Sequence, residues 1–418
     1  MPSSMTGTGR ITSTSSRRDA IAIPSGCCHK LSVFLYSLTL KMQPDDIRAN
    51  ILDGTIRAIS VDTCIFDAAN LRLEHGQLKQ LESLAASGFR LVFSEMTLKE
   101  IRGHLAKKTE EARSSLQKGL ADSVNHWALP EEKRKQLLRD VVGDADFNAA
   151  SKARLSAFLE RCKAEIAGAQ EHLEVDKLIA LYFDQKAPFE STKDKKSEFP
   201  DAITLLSLGS WATKQKTSVL FVTRDKGCIS YCETAERLAA IDDLGAALTL
   251  VQERNEHTRK LTDTVAQRIQ EGAYPDFLEQ LTSTIANNVH DLNIIPEASS
   301  SFYFDAEMED EHVVDAEFES KDGRPVLNPV GYVNDVLTVQ GIVTVNLGLV
   351  GAFSFSMRDG IDRDMVRIGH GRAEREVTVS IEVLYTFEDF EDGEPELVEI
   401  EIVPTRFEVD FGEVNPDY

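Results

Sequence analysis

The chain has 418 residues, 42% of them apolar, and a formal net charge of −23. That length points to two or three domains, the apolar share is enough to fill real cores, and no apolar run approaches the ~20 residues of a membrane helix. The acidity excludes less than it suggests: residues 301–418 hold 28 Asp/Glu against 8 Lys/Arg, a net of −20, which leaves −3 for the first 300 residues.

Residues 1–45 are Ser/Thr-rich with scattered Arg and Lys, and read as a disordered leader or a mis-assigned start, with Met42 as the alternative first residue. The apolar patch Leu31 to Leu40 lies too deep for a signal h-region, and no small-residue cleavage site follows it. The six cysteines are spread unevenly; Cys228 and Cys232 lack the close Cys or His partners of a zinc site. So few thiols fit a reducing, cytoplasmic compartment, and no membrane partner is expected.

From 55 to 255 the pattern alternates strand and helix. Apolar runs at 57–63, 89–94, 218–223 and 238–241 are the strands, and Gly76 to Ser87 is the helix joining the first two. This alternation predicts an α/β fold with a doubly wound, mainly parallel sheet. Between them, 108–185 is helical in composition and reads as an insertion. Pro130-Glu-Glu132 starts one helix there. Ser151 to Gln170 carries Leu155, Phe158, Leu159, Cys162 and Ile166 at spacings of three and four. Residues 256–298, with Leu261, Val265 and Ile269 at fours, read as a helical connector. From 300 to 418 the alternation of Val, Ile, Phe and Thr with charge predicts a C-terminal antiparallel β domain with one wet face. Its clearest strands are Thr338 to Asn346, Glu376 to Leu384, Glu399 to Val403 and Arg406 to Phe411, with turns at Lys321-Asp-Gly and Glu391-Asp-Gly-Glu394.

Four acids stand out against that frame. Asp62 closes the first strand, Glu100 follows the second by seven residues, Asp201 opens a helix apolar nearly all round, and Asp225 follows the strand ending at Thr223. In a doubly wound sheet, strand C-termini and neighbouring helix starts share one edge, where ligands bind. Carboxylates gathered there repel one another and call for a hard cation, so the order predicts a Mg²⁺- or Mn²⁺-dependent phosphoryl-transfer site. Each acid alone has a plainer reading as a helix cap, turn residue or solvated helix acid, and Glu95 competes with Glu100.

The segment 57–250 resembles the PIN-domain family of nucleases, in its larger bacterial form with a helical insertion. The resemblance rests on Val61-Asp-Thr-Cys-Ile-Phe66, Glu100, Lys196-Ser-Glu-Phe-Pro-Asp-Ala202 and Val222-Thr-Arg-Asp225. It implies that Asp62, Glu100, Asp201 and Asp225 are the catalytic residues and hold Mg²⁺ or Mn²⁺, and that the substrate is single-stranded RNA. Two features depart from the family: the stretch between Glu100 and Asp201 is longer than in compact members, and Gly227 and Cys228 stand where some members have a further acid. Thr63, Lys195, Lys196, Thr223, Arg224 and Lys226 lie close enough in sequence to contact the substrate backbone.

A haloacid-dehalogenase-type phosphatase needs a second Asp two residues after the first, where this chain has Cys64. The stronger competitor is a non-catalytic PIN-like module that binds RNA or protein. For the acidic β domain, a wet face is the plain explanation and a protein-docking role the alternative; self-association is a further expectation.

Overall fold

In the first βαβ unit, Ile56–Val61 (β1), five of its six residues buried, runs through the middle of a sheet, and the chain turns at Asp62 directly into the next helix. The computed structural model describes residues 44–143, 146–189, 198–358, 364–390 and 394–417. The expected leader therefore lies outside the described residues up to 43, and the first element is α1 (Pro44–Leu52). After β1 come α2 (Thr63–Ala68), α3 (Gly76–Gln80), β2 (Arg90–Ser94) and the long α4 (Glu95–His126). The insertion follows as α5 (Glu131–Val142), α6 (Phe147–Arg161), β3 (Glu165–Ala167), α7 (Ala169–His172) and α8 (Val175–Asp184). Then come α9 (Phe199–Gln215), β4 (Ser218–Val222), α10 (Lys226–Cys232), β5 (Leu238–Ile241) and α11 (Leu244–Gln252).

The sheet order is β3-β2-β1-β4-β5, with every pair parallel. The order reverses between β1 and β4, which is where such a sheet leaves a crevice at its C-terminal edge. Side chains alternate faces strand by strand. Leu91, Phe93, Leu220 and Val222 join a core under α1–α4, α6 and α11, while Val92, Val219 and Phe221 meet Leu205, Leu208 and Trp211 of α9. Both faces are covered, as continuous apolar strands require.

Within the helical insertion, the short strand β3 (Glu165–Ala167) is an addition to the expected helices. Helix α6 ends at Arg161, Lys163 takes a left-handed conformation (φ 51°), and the chain leaves the helix before Ile166. Ile166 is 54% exposed on the sheet edge, so its place in a three-four spacing was coincidental.

The remaining chain supplies α12 (Glu256–Gln270), α13 (Phe277–Asn287), β6 (Ile294–Ser299), β7 (Tyr303–Phe318), β8 (Ser320–Lys321), β9 (Arg324–Pro325), β10 (Leu327–Val333), β11 (Val336–Arg358), β12 (Met365–Glu388), β13 (Glu396–Ile402) and β14 (Phe407–Glu413). The main sheet is antiparallel in the order β10-β11-β12-β13, with β7 also paired to β11. One detail departs from expectation and one agrees with it. The 256–298 stretch is helical through α12 and α13 but ends in a strand, and that strand, β6, pairs parallel with β14. The Lys321-Asp-Gly turn joins β8 to β9, with Asp322 and Gly323 both at positive φ (56° and 78°), the conformation a two-residue hairpin demands. The turn expected at Glu391 falls on residues 391–393, outside the described set.

All described residues belong to one compact unit. Val330 of β10 and Leu384 of β12 are buried in the same core as Ile59 and Leu248 of the α/β part. At the junction Gln77 Nε2 donates to Gln340 Oε1 (2.9 Å), and both Arg72 guanidinium ends meet Asp291, at 2.5 and 2.9 Å. Among the described residues, no helix is long and apolar enough to cross a membrane.

Candidate functional site

Three strands of the parallel sheet end in an aspartate that caps the next helix. Asp62 Oδ1 accepts from Thr63 N (2.8 Å) at the start of α2, Asp225 Oδ1 from Cys228 N (2.7 Å) at α10, and Asp243 Oδ1 from Ala246 N (2.6 Å) at α11. The capping role and the clustering of acids are thus not alternatives: the cap orients the carboxylate at the sheet edge, beside a positive helix end.

Asp62 is the most enclosed, 8% exposed. Its backbone N–H continues the ladder to Val222 O (2.9 Å), which fixes it against β4. Its Oδ2 accepts from Thr223 Oγ1 (2.6 Å) and from Cys64 Sγ (3.2 Å). Thr223 is fully buried, so its hydroxyl positions the carboxylate and does not meet a substrate. Thr63 Oγ1 donates to Glu100 Oε2 (2.9 Å), tying the acid of α4 to the turn after β1. Glu95, the competitor of Glu100, points away to Lys99 (2.8 Å), and that cation holds its carboxyl below the usual range.

Asp201 lies in the first turn of α9, whose buried residues include Ala202, Leu205, Leu206, Leu208 and Trp211. A hydroxyl network sets where that helix starts relative to α4. Ser94 Oγ, the N-cap of α4, accepts from Thr97 N (3.0 Å) and pairs with Thr204 Oγ1 of α9 (2.7 Å). Burial, then the charges of Asp62, Asp225, Glu100 and Glu198, push the Asp201 carboxyl up to about 7. Those causes place Asp201 in the field of the other three acids from β1, α4 and β4, and add Glu198, which sequence reasoning missed. Its signal was its position, three residues ahead of Asp201 on the N-cap of α9.

The thiols nearby stay protonated. Burial and the Asp62 charge push Cys64 up to about 12, and burial with Asp201, Asp62 and Asp225 raises Cys228 as well. Cys64 is therefore a hydrogen-bond donor and not a nucleophile. His104, one turn beyond Glu100 on α4, holds Asp67 at 2.9 and 3.0 Å. Arg224 and Lys226 are exposed beside Asp225, whereas Lys195 and Lys196 lie outside the described residues.

The donor set suits a hard dication: four carboxylates from three strand or helix starts and one helix face, and no thiolate. Among the described residues, no three of these acids bring oxygens within 4.8 Å of one another; the group that does is His75, Glu399 and Glu401. Mg²⁺ keeps several waters and takes one or two carboxylates directly, so the wider spacing still fits an ion whose remaining acids act through water. The His75 group has a structural explanation at the junction of α3 with β13. There Glu401 accepts from Gly76 N (3.2 Å) and faces His75 (3.3 Å), and Glu399 faces Lys79 (3.6 Å).

Comparison with known families gives a match between residues 59–227 and the PIN domain family model. The matched segment contains all four acids and runs from β1 to the start of α10. No curated protein and no solved structure matched the chain.

Proposed function

We propose that the PIN domain formed by residues 59–227 is a Mg²⁺- or Mn²⁺-dependent nuclease of cytoplasmic single-stranded RNA. The observation that supports this reading is that Asp62 and Asp225 cap the helices after β1 and β4 while Thr63 ties Glu100 to the same turn, and that burial and the charges of these acids raise the Asp201 carboxyl to about 7. Carboxylates so placed, with no cation among them, raise one another's proton affinity; a bound dication removes that cost.

When bound, the ion supplies neutralisation of the phosphate and a lower pKa for the attacking water. The protein's own residues do the rest. Thr223 and Thr63 hold Asp62 and Glu100 in fixed rotamers through short hydrogen bonds (2.6 and 2.9 Å), and preorganised ligands avoid reorganisation during the reaction. Asp62, buried at the sheet edge, presents a carboxylate little diluted by water. Asp201, titrating near neutrality while no ion is present, exchanges a proton at its carboxyl oxygens as the site fills. Arg224 and Lys226, exposed beside Asp225, offer cations to the substrate backbone. The acidic C-terminal β region would then serve as a docking surface for a protein partner.

The test is cleavage of a mixed single-stranded RNA pool by the full chain with Mn²⁺, Mg²⁺ or chelator. Asp62→Asn and Asp201→Asn are the controls. Metal-dependent cleavage lost in both variants supports the reading. Cleavage that persists in both places the activity elsewhere. RNA binding without cleavage under any metal would assign the non-catalytic alternative.

A further inference from the structure

A cavity opens between the α/β part and the long antiparallel sheet, and Arg224 on its wall adjoins Asp225 in sequence. It holds about 490 Å³, and its walls include Asp67, Gln77 and Arg224 from the one side and Glu382, Thr405 and Arg406 from the other. It is joined to the carboxylates by short stretches of chain. Arg224 stands between Thr223, whose hydroxyl holds Asp62, and Asp225. Asp67 is one turn beyond Thr63 on α2.

The β wall of this cavity is fixed. Gln77 bridges to Gln340 (2.9 Å) and Glu382 (3.4 Å). Gly245 backs onto the same amides so closely that a Cβ there would lie 2.4 Å from Gln340 Oε1. Val330 and Leu384 are anchored in the core of the α/β part.

The acids of the cavity are already engaged. Asp67 is held by His104, Asp243 caps α11, Asp291 is paired with Arg72, and Glu382 accepts from Gln77. The arginines have donors to spare. Arg224 Nε donates to the Asp242 carbonyl (3.3 Å), and Arg406, 64% exposed, meets Glu408 at 3.4 Å, out of five N–H donors on each guanidinium. Arg224 and Arg406 line the cavity from its two walls, and the guanidinium is the side chain best shaped for bidentate phosphate contact.

We infer that this cavity seats the nucleotide adjoining the scissile phosphodiester, its phosphate held between Arg224 and Arg406, so that the β-rich region forms one wall of the substrate groove. The inference rests on the nuclease reading above and assigns the β region a part in it. A cavity of this size accepts one ligand-sized group, and recognition of unpaired strands works by splaying single nucleotides into such seats. Gln77, Thr405 and Glu382 then face the base and sugar with donors and acceptors.

The test uses the full chain carrying Asp201→Asn to suppress turnover, with fluorescence anisotropy of a labelled 12-nucleotide single-stranded RNA titrated across KCl concentrations. Arg406→Gln is expected to weaken binding about tenfold near 100 mM salt and to reduce the log–log salt slope by about 0.7, the loss of one phosphate contact on a single strand. Arg406→Lys should keep the slope. Arg367→Gln, on the distal part of β12 where its guanidinium meets Ser354 and His370, should change neither. An unchanged slope in Arg406→Gln, with Mn²⁺-dependent cleavage by the wild-type chain intact, overturns the β wall and leaves the nuclease reading standing. A wild-type chain that neither binds nor cleaves the RNA overturns both.

Discussion

Replacing Asp201 by asparagine should stabilise the metal-free protein. Burial and four neighbouring carboxylates raise the Asp201 carboxyl from 3.8 to about 7. A group with a raised folded pKa keeps a proton that the unfolded chain has already released. Stability from this group is therefore intact below about pH 4, falls as pH climbs to about 7, and stays reduced above it. At 1.36 kcal/mol per unit the shift sets a ceiling of about 4 kcal/mol. Asp201 keeps partial contact with water, which screens part of that, so the expected cost at pH 8 is about 2 kcal/mol. Asparagine has the same shape and no charge. In chelator, Asp201→Asn should recover about 2 kcal/mol at pH 8 and close to nothing at about pH 3, below the unfolded-chain value, read as thermal unfolding of the full chain at both pH values. Saturating Mn²⁺ should reverse the order, because binding at a hundred times Kd stabilises the wild type by about 2.7 kcal/mol. Equal stability of the two proteins at pH 8 in chelator would refute the picture of uncompensated carboxylates.

Other substitutions probe the same geometry. Asp62→Asn should lower metal-dependent cleavage by about 10³-fold, the several kcal/mol a dication contributes, while Glu95→Gln leaves it unchanged; initial rates on one RNA decide between the two acids. Thr223→Val should weaken Mn²⁺ binding by about 10- to 100-fold by loosening Asp62, seen in a metal titration of activity, with Thr223→Ser restoring it. Arg72→Ala removes the bidentate partner of Asp291, whose side chain is 8% exposed, and should cost about 3 kcal/mol in urea unfolding because the buried carboxylate keeps only the exposed His290, at 3.6 Å.

What the sequence disclosed, and what it hid, follows from the range of the forces involved. The parallel strands β1, β2, β4 and β5 were legible because most of their residues are buried apolar ones; β3 was not, because its three residues lie on an edge with Ile166 exposed. The four acids were legible as an order along the chain, since a parallel sheet delivers every strand end to one side. The hydroxyls that set their spacing were not, because Ser94, Thr97 and Thr204 look like ordinary polar residues until α9 is laid against α4. The reach of β11 and β12 was also underestimated. Gly348, Gly351, Gly369 and Gly371 interrupt the apolar alternation that marks a strand, yet a Cβ at Gly371 would come within 2.7 Å of Asn415 O, so the glycine admits the C-terminal segment alongside an unbroken strand.

The junction between the two sheets was the least legible part, and its chemistry explains why. Apart from Val330 and Leu384, it is built from side chains that composition assigns to the surface: Arg72, Gln77, Gln80 and Lys79 facing Asp291, Gln340 and Glu399. Amide and ion pairs carry no periodicity, and Arg72 and Gln77 find their partners more than two hundred residues away. A chain that divides by charge, near-neutral before residue 300 and −20 beyond it, therefore folds with its acidic part packed against the α/β part. Two arginines at that junction, Arg224 and Arg406, face the same cavity from opposite sides. This is why overall charge is a poor guide to what the crevice binds: the field at a site is set by the few charges left uncompensated around it.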